Sequence, residues 1–124
     1  MINKKCKIDY IKNIYQLDDS FNKKSSSLFE TKAFLKIFAD SNCIGGNSGW
    51  NPIFSVIHER NKQVGFIPMF EKYNSYGEYV FDWEWANFYN RYHVEYYPKL
   101  VIALPFTPIV TNKFVTNKDI DITK

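Results

Sequence analysis

The chain is short of cysteine. Only Cys6 and Cys43 occur, far apart and with no CxxC partner. A zinc site draws on several clustered ligands, so no metal centre is expected and two free thiols in a cytoplasmic protein is the plain reading. Long apolar runs are missing too. The longest, Leu100 to Phe106, has seven residues, against roughly 20 for a spanning helix, so no membrane span is expected. Ile8 to Leu17 is interrupted by Asp9, Lys12 and Asn13, which leaves no signal-peptide core. Basic charge is scarce where it would matter for nucleic acid. The net charge of +3 arises from residues 1–24, with six Lys against three Asp, whereas residues 70–97 hold five acids and two bases. Phosphate contacts need the opposite sign, so this segment is not expected to bind nucleic acid directly. No GxSxG, P-loop, HExxH or GxGxxG is present.

What is abundant is aromatic surface: 11 Phe, 9 Tyr and 3 Trp in 124 residues, or 19%. With 45% hydrophobic and 23% charged residues, the composition is that of one globular domain. Residues 1–27 read as a lead-in, with a short strand near Ile8 and Tyr10 and a polar linker from Asn22 to Ser27. Ser27 and Glu30 match a capping box. The helix they open runs to about Ser41 on a buried stripe of Phe34, Leu35 and Phe38. A glycine-containing loop follows. Ile53 to His58 and Val64 to Phe70 then form a hairpin, with a bulge or an unpaired edge expected at Pro68. Tyr73 to Tyr79 is a loop around Gly77. Asp82 is placed to N-cap a second helix. In that helix Trp85, Phe88, Tyr89 and Tyr92 share one face, which reads as core. Leu100 to Leu104 reads as a strand covered on both faces, and residues 111–124 as a frayed polar tail. The order of helix, strand, strand, helix and strand predicts an α/β fold with one small mixed sheet and flanking helices.

The chemistry concentrates in two stretches. In Gly77-Glu78-Tyr79-Val80-Phe81-Asp82 two carboxylates flank apolar side chains, where a raised pKa would suit a general base. The structural reading has Asp82 capping the helix and Glu78 binding loop amides. In Tyr96-Tyr97-Pro98-Lys99 the lysine directly precedes a strand. It is placed either to bind a ligand carboxylate or phosphate, or to snorkel to solvent. His58 and His93 are lone histidines at element ends, where the residue is usually structural or solvated.

These residues also carry a resemblance. Ser48-Gly49-Trp50-Asn51-Pro52, Ile67-Pro68-Met69-Phe70 with Lys72, Gly77 to Asp82 with Trp85-Ala86, Tyr96 to Leu100 and Pro105-Phe106-Thr107-Pro108 occur in one order. Over about residues 28–110 the chain resembles the FemAB-like family of peptidoglycan biosynthesis or recognition proteins, within the GNAT-type N-acyltransferase superfamily. The resemblance implies the N-terminal half of a GNAT-like domain and amide-forming acyl or aminoacyl transfer to a small-molecule or peptidoglycan-precursor amine. In the family the donor is acyl-CoA or aminoacyl-tRNA. Asn74 stands where the family pattern has a histidine. A GNAT-type donor loop is glycine-rich and leads into a helix, but Thr107 to Asn117 has no glycine. The expectation is therefore a truncated part that does not bind the donor alone. An enzyme completed by a homodimer or second chain, or a binding module for sugar or peptide, are the alternatives. From residue chemistry, Glu78 is the expected catalytic base, and Lys72, Tyr79, Asp82, Tyr97 and Lys99 the expected substrate-binding residues.

Overall fold

A computed structural model describes residues 6–23 and 27–117. Residues 24–26 of the expected linker and 118–124 of the expected tail lie outside the described residues. The α/β fold class holds, and the arrangement is consistent with part of a GNAT-like fold. The single sheet does not hold. There are two antiparallel sheets, one of β1 (Cys6–Ile11), β3 (Phe54–Glu59), β4 (Lys62–Ile67) and β7 (Val115–Thr116), in the order β1-β3-β4-β7. The other has β2 (Asn51–Pro52), β5 (Met69–Lys72) and β6 (Lys99–Ile102), in the order β2-β5-β6.

Pro68 explains the division. It has no N–H to give to a ladder, so β4 ends at Ile67 and the chain crosses to the second sheet as β5. The partner strand breaks at the matching place. Ile53 separates β2 from β3, and its N–H donates to Met69 O at 2.9 Å. Both arms of the hairpin thus bend together, as strands do where they turn a corner between sheets. At the other end Glu59 pairs with Lys62, and Arg60 and Asn61 both take positive φ (50° and 63°), the signature of a two-residue type I′ turn.

The core fills the angle between the sheets. Phe54, Val56, Phe66 and Val115 from the first sheet meet Phe70 from the second, with Trp50, Leu35, Ile14, Leu17 and Phe21 closing around them. Phe70 packs edge-on against both Trp50 and Phe54, with ring centroids 5.2 and 5.4 Å away. The lead-in is therefore part of the domain: β1 pairs along the whole of β3, and Ile14, Leu17 and Phe21 are buried. The segment read as tail likewise contributes β7, with Val115 buried against β4.

Four local expectations are corrected. Ser27 caps only a 3₁₀ turn, Leu28–Glu30. Glu30 turns away from the capping box, is buried, and accepts the N–H of Asn112 at 2.8 Å. Thr31 then starts α1 (Lys32–Asp40), its Oγ1 accepting from Phe34 N at 3.1 Å. The second helix, α2 (Trp83–Arg91), forms where expected, but its aromatic face is not core. Trp85, Phe88 and Tyr92 are half or more exposed and α2 has no buried residue. Strand β6 is covered on one face only: Leu100 and Ile102 point to solvent while Val101 packs on the core. Finally, Asp82 stands at the N-cap position of α2 but its side chain makes no capping bond. No helix among the described residues is long and apolar enough to cross a membrane.

Candidate functional site

The register of β5 with β6 sets Lys72 directly opposite Lys99. Two like charges facing across a strand pair repel. The loop between β5 and α2 resolves this by bringing Glu78 and Asp82 back over the strand ends. Lys99 Nζ donates to Glu78 Oε2 at 2.8 Å, to Ser75 Oγ at 3.0 Å and to Asp82 Oδ2. Lys72 Nζ lies 3.3 Å from Glu78 Oε1, donates to Tyr76 O at 2.5 Å, and sits 3.7 Å from the Trp50 ring centroid as a cation–π contact. The result is an alternating chain of charge, Lys72–Glu78–Lys99–Asp82. Lys72 is fully buried, and the other three side chains are 11–19% exposed.

Neutral groups complete it. Ser75, fully buried, donates to Asp82 Oδ1 and shares a 2.7 Å hydrogen bond with the Tyr97 hydroxyl. The Tyr96 hydroxyl donates to Asp82 Oδ2 at 2.5 Å. With its oxygens bound to Ser75, Tyr96 and Lys99, Asp82 cannot also cap α2. Gly77, at φ +74°, turns the loop beneath Trp50 and Phe106 and so sets where Glu78 falls. Asn74 accepts from Tyr76 N at 3.1 Å and shapes the same loop.

The electrostatics follow from these partners. Burial favours the neutral form of Lys72 and outweighs the pull of Glu78, so its ammonium pKa is lowered. For Lys99 burial acts the same way, but the hydrogen bonds to Asp82 and Glu78 win and the pKa is raised. Burial would raise Asp82; hydrogen bonds from Lys99, Ser75 and Tyr96 overcome it and hold the carboxyl at about 2. The hydrogen bond to that carboxylate, aided by burial, pushes the Tyr96 hydroxyl up. Two buried polar atoms in this region make no hydrogen bond: the Trp50 Nε1–H, which donates to nothing, and Glu78 Oε1, which keeps only its 3.3 Å ion pair with Lys72.

Of the residues singled out in the sequence, Glu78, Lys72, Asp82, Tyr97 and Lys99 come together here. Tyr79 does not: its side chain is 72% exposed. Glu78 binds two ammoniums rather than loop amides, and Lys99 turns inward rather than snorkelling. Ser75 and Tyr96 are members that the sequence reading passed over. Ser75 lies two residues before Gly77 in the loop that must carry carboxylates over two opposed lysines, but that demand is visible only once the strand register is known. His58 stands apart on the first sheet, its Nδ1 3.4 Å from Asp9 Oδ2. His93 takes the left-handed position after α2, at φ 55°. Its N–H donates to Asn90 O and that of Val94 to Tyr89 O, each at 3.1 Å, which is a Schellman closure. Among the described residues no group of three or more His, Cys, Asp or Glu is placed to hold a metal ion.

A family model described as peptidoglycan biosynthesis/recognition, FemAB-like, matches residues 11–124. No curated protein and no solved structure matches the chain.

Proposed function

The chain belongs to the FemAB-like family of peptidoglycan biosynthesis/recognition proteins, and from that premise we propose that it handles a peptidoglycan-type acceptor in an amide-forming acyl or aminoacyl transfer. The observation that supports this reading is the alternating cluster of two ammoniums and two carboxylates where β5 ends and β6 begins, walled by Tyr96 and Tyr97. An amino-acid-like acceptor carries both an amine and a carboxylate. Glu78 and Asp82 are complementary to the first, Lys99 to the second. In the transfer the acceptor nitrogen forms a bond to the acyl carbon, and the carbon–sulfur bond of a thioester, or the carbon–oxygen bond of an aminoacyl ester, breaks. The amine must give up a proton, and we assign Glu78 as its acceptor because it is the carboxylate at the centre of the cluster, between Lys72 and Lys99. That proton then leaves with the thiol or hydroxyl of the spent donor. The Lys99 ammonium is complementary to the developing oxyanion and reaches it by giving up one of its three contacts, to Ser75, Glu78 or Asp82.

The acyl-CoA or aminoacyl-tRNA is assigned to a second chain or copy. From β6 to β7 the described chain runs through a loop without glycine, not through a glycine-rich turn into a helix. The outer edge of β6, unpaired among the described residues, is the place for such a partner. A second reading, binding of a sugar or peptide without turnover, is favoured by one feature: every charged group of the cluster already has a partner inside it.

The test combines the purified chain, over a range of concentrations that allows self-association, with a muropeptide and either acetyl-CoA or an aminoacyl-tRNA. Mass spectrometry follows the muropeptide. A gain equal to the acyl group, lost in Glu78→Gln, is the expected result. Saturable muropeptide binding with no mass gain from either donor favours the second reading, and absence of both refutes the two together.

A further inference from the structure

Helix α2 lacks the cover that a helix of its length needs. A helix of nine residues is marginal in water unless an apolar face is packed, yet none of its residues is buried. Its apolar face is nonetheless complete: Trp85, Phe88 and Tyr92 are 63%, 50% and 67% exposed. The Trp85 and Phe88 rings meet edge-on at 6.4 Å and those of Phe88 and Tyr92 lie 4.9 Å apart, so the three form one stripe. At the C-terminal end of the stripe Phe88, Tyr89, Tyr92 and Val94 line an open groove of about 230 Å³. That is below the roughly 300–1,000 Å³ of small-molecule pockets and suits one inserted side chain. With about half of each of these five side chains exposed, and 150–250 Å² for a large aromatic, the face presents roughly 500 Å². Apolar area of that extent marks an interaction surface.

The partner this face fits is a second copy of itself. Trp85 and the groove are a knob and a hole on one helix. Trp85 lies two turns before Tyr92, about 10 Å along the axis. When two α2 helices pack antiparallel about a two-fold axis near Phe88 and Tyr89, each Trp85 falls at the groove of the other copy. The charges agree with that arrangement. Glu84 and Arg91 are the only charged residues of α2, and both are exposed. They too are two turns apart, on the flank of the stripe beside Phe88. A two-fold axis keeps this flank on one side, so each Glu84 faces Arg91 of the other copy, and opposite ends of the helix dipoles lie side by side. A lipid surface is the poorer occupant, because surface helices carry many bases on their polar face and α2 has one. We propose that the chain self-associates through α2, with Trp85 of each copy seated in the groove of the other. Roughly 500 Å² per copy gives about 1,000 Å² in all, the lower bound for a specific interface, so the dimer is weak and concentration-dependent. This surface is distinct from the outer edge of β6 and does not depend on the transfer reading.

Sedimentation velocity of the full chain, from dilute to concentrated solution, is the experiment. A reversible monomer–dimer equilibrium is expected. Trp85→Ala removes an aromatic anchor at two symmetric places and should weaken the dimer at least about a hundredfold. The unfolding midpoint of the diluted chain should not change, because Trp85 is exposed in the monomer. Glu84→Arg and Arg91→Glu each set like charges together twice, and each should weaken self-association about tenfold. Mixing those two variants puts opposite charges together at both places and should restore the dimer. That rescue keeps the proposal testable if Trp85→Ala does not fold. A chain that stays monomeric at every concentration, a dimer indifferent to Trp85→Ala, or charge variants that mixing does not rescue would each overturn the proposal. A monomer whose tryptophan emission shifts to the blue on phosphatidylcholine vesicles would also overturn it, assigning the stripe to a lipid surface.

Discussion

Gly77 lies beneath Trp50 and Phe106, and a methyl group added there has nowhere to go. An alanine Cβ would stand 2.4 Å from Phe106 Cε1 and 2.7 Å from Trp50 Nε1, at a backbone φ of +74°. The two neighbours differ in how far they can yield. Phe106 is 47% exposed and can swing outward; Trp50 is 1% exposed, edge-on to Phe70 and beneath the Lys72 ammonium, and cannot. Gly45 supplies the control. Its φ is +78°, but an added Cβ meets nothing within 4 Å. Gly45→Ala therefore isolates the cost of a left-handed non-glycine residue, about 1–2 kcal/mol. Gly77→Ala adds an overpacking cost of about 1–3 kcal/mol and should lose about 2–5 kcal/mol, a large part of the roughly 5–15 kcal/mol of a small domain. Urea unfolding followed by circular dichroism gives both values from the shift in midpoint at constant slope. Equal losses in the two variants would refute the argument, since Trp50 would then not be what confines Gly77 and the loop carrying Ser75, Glu78 and Asp82 would not depend on it.

Asp82 predicts an acid-side transition. Its folded pKa of about 2 lies below the usual 3.8, so the stability it contributes is complete above about pH 4 and is lost as pH falls through about 2; the amount is at most about 2 kcal/mol. Asp82→Asn should remove that slope between pH 4 and 2, and an unchanged acid limb would count against the cluster geometry. Lys72 predicts an optical signal at the basic end. In a Trp83→Phe/Trp85→Phe background, Trp50 emission should titrate as the ammonium 3.7 Å from its ring loses its proton, with a midpoint below that of an ordinary lysine. The Lys72→Met version of the same protein should show no such step.

Much of the fold was readable because local rules decided it. The hairpin, the break at Pro68, the loop at Gly77 and the extent of α2 each follow from a period of two or of 3.6, or from a residue whose backbone has few options. Where the reading of the fold failed, the deciding partner was distant in sequence. The capping box at Ser27 was undone by Asn112, which draws Glu30 inward. The aromatic stripe of α2 has the spacing of a core face, but spacing says only that Trp85, Phe88 and Tyr92 lie together, not that anything packs on them.

The candidate site divides in the same way. Composition and order along the chain were enough to point to Glu78, Asp82, Tyr97 and Lys99 as chemically dense, because carboxylates, phenols and an ammonium crowd two short stretches. That they form one cluster, that Ser75 and Tyr96 join it and that Tyr79 does not, was decided by tertiary structure alone. The cause is the β5–β6 register. It places two lysines opposite each other, and a buried pair of like charges is tolerable only if carboxylates are folded back between them. Such a demand comes from charges brought within a few ångströms by strands 27 residues apart in sequence (Lys72 to Lys99), and no local pattern in the chain encodes it.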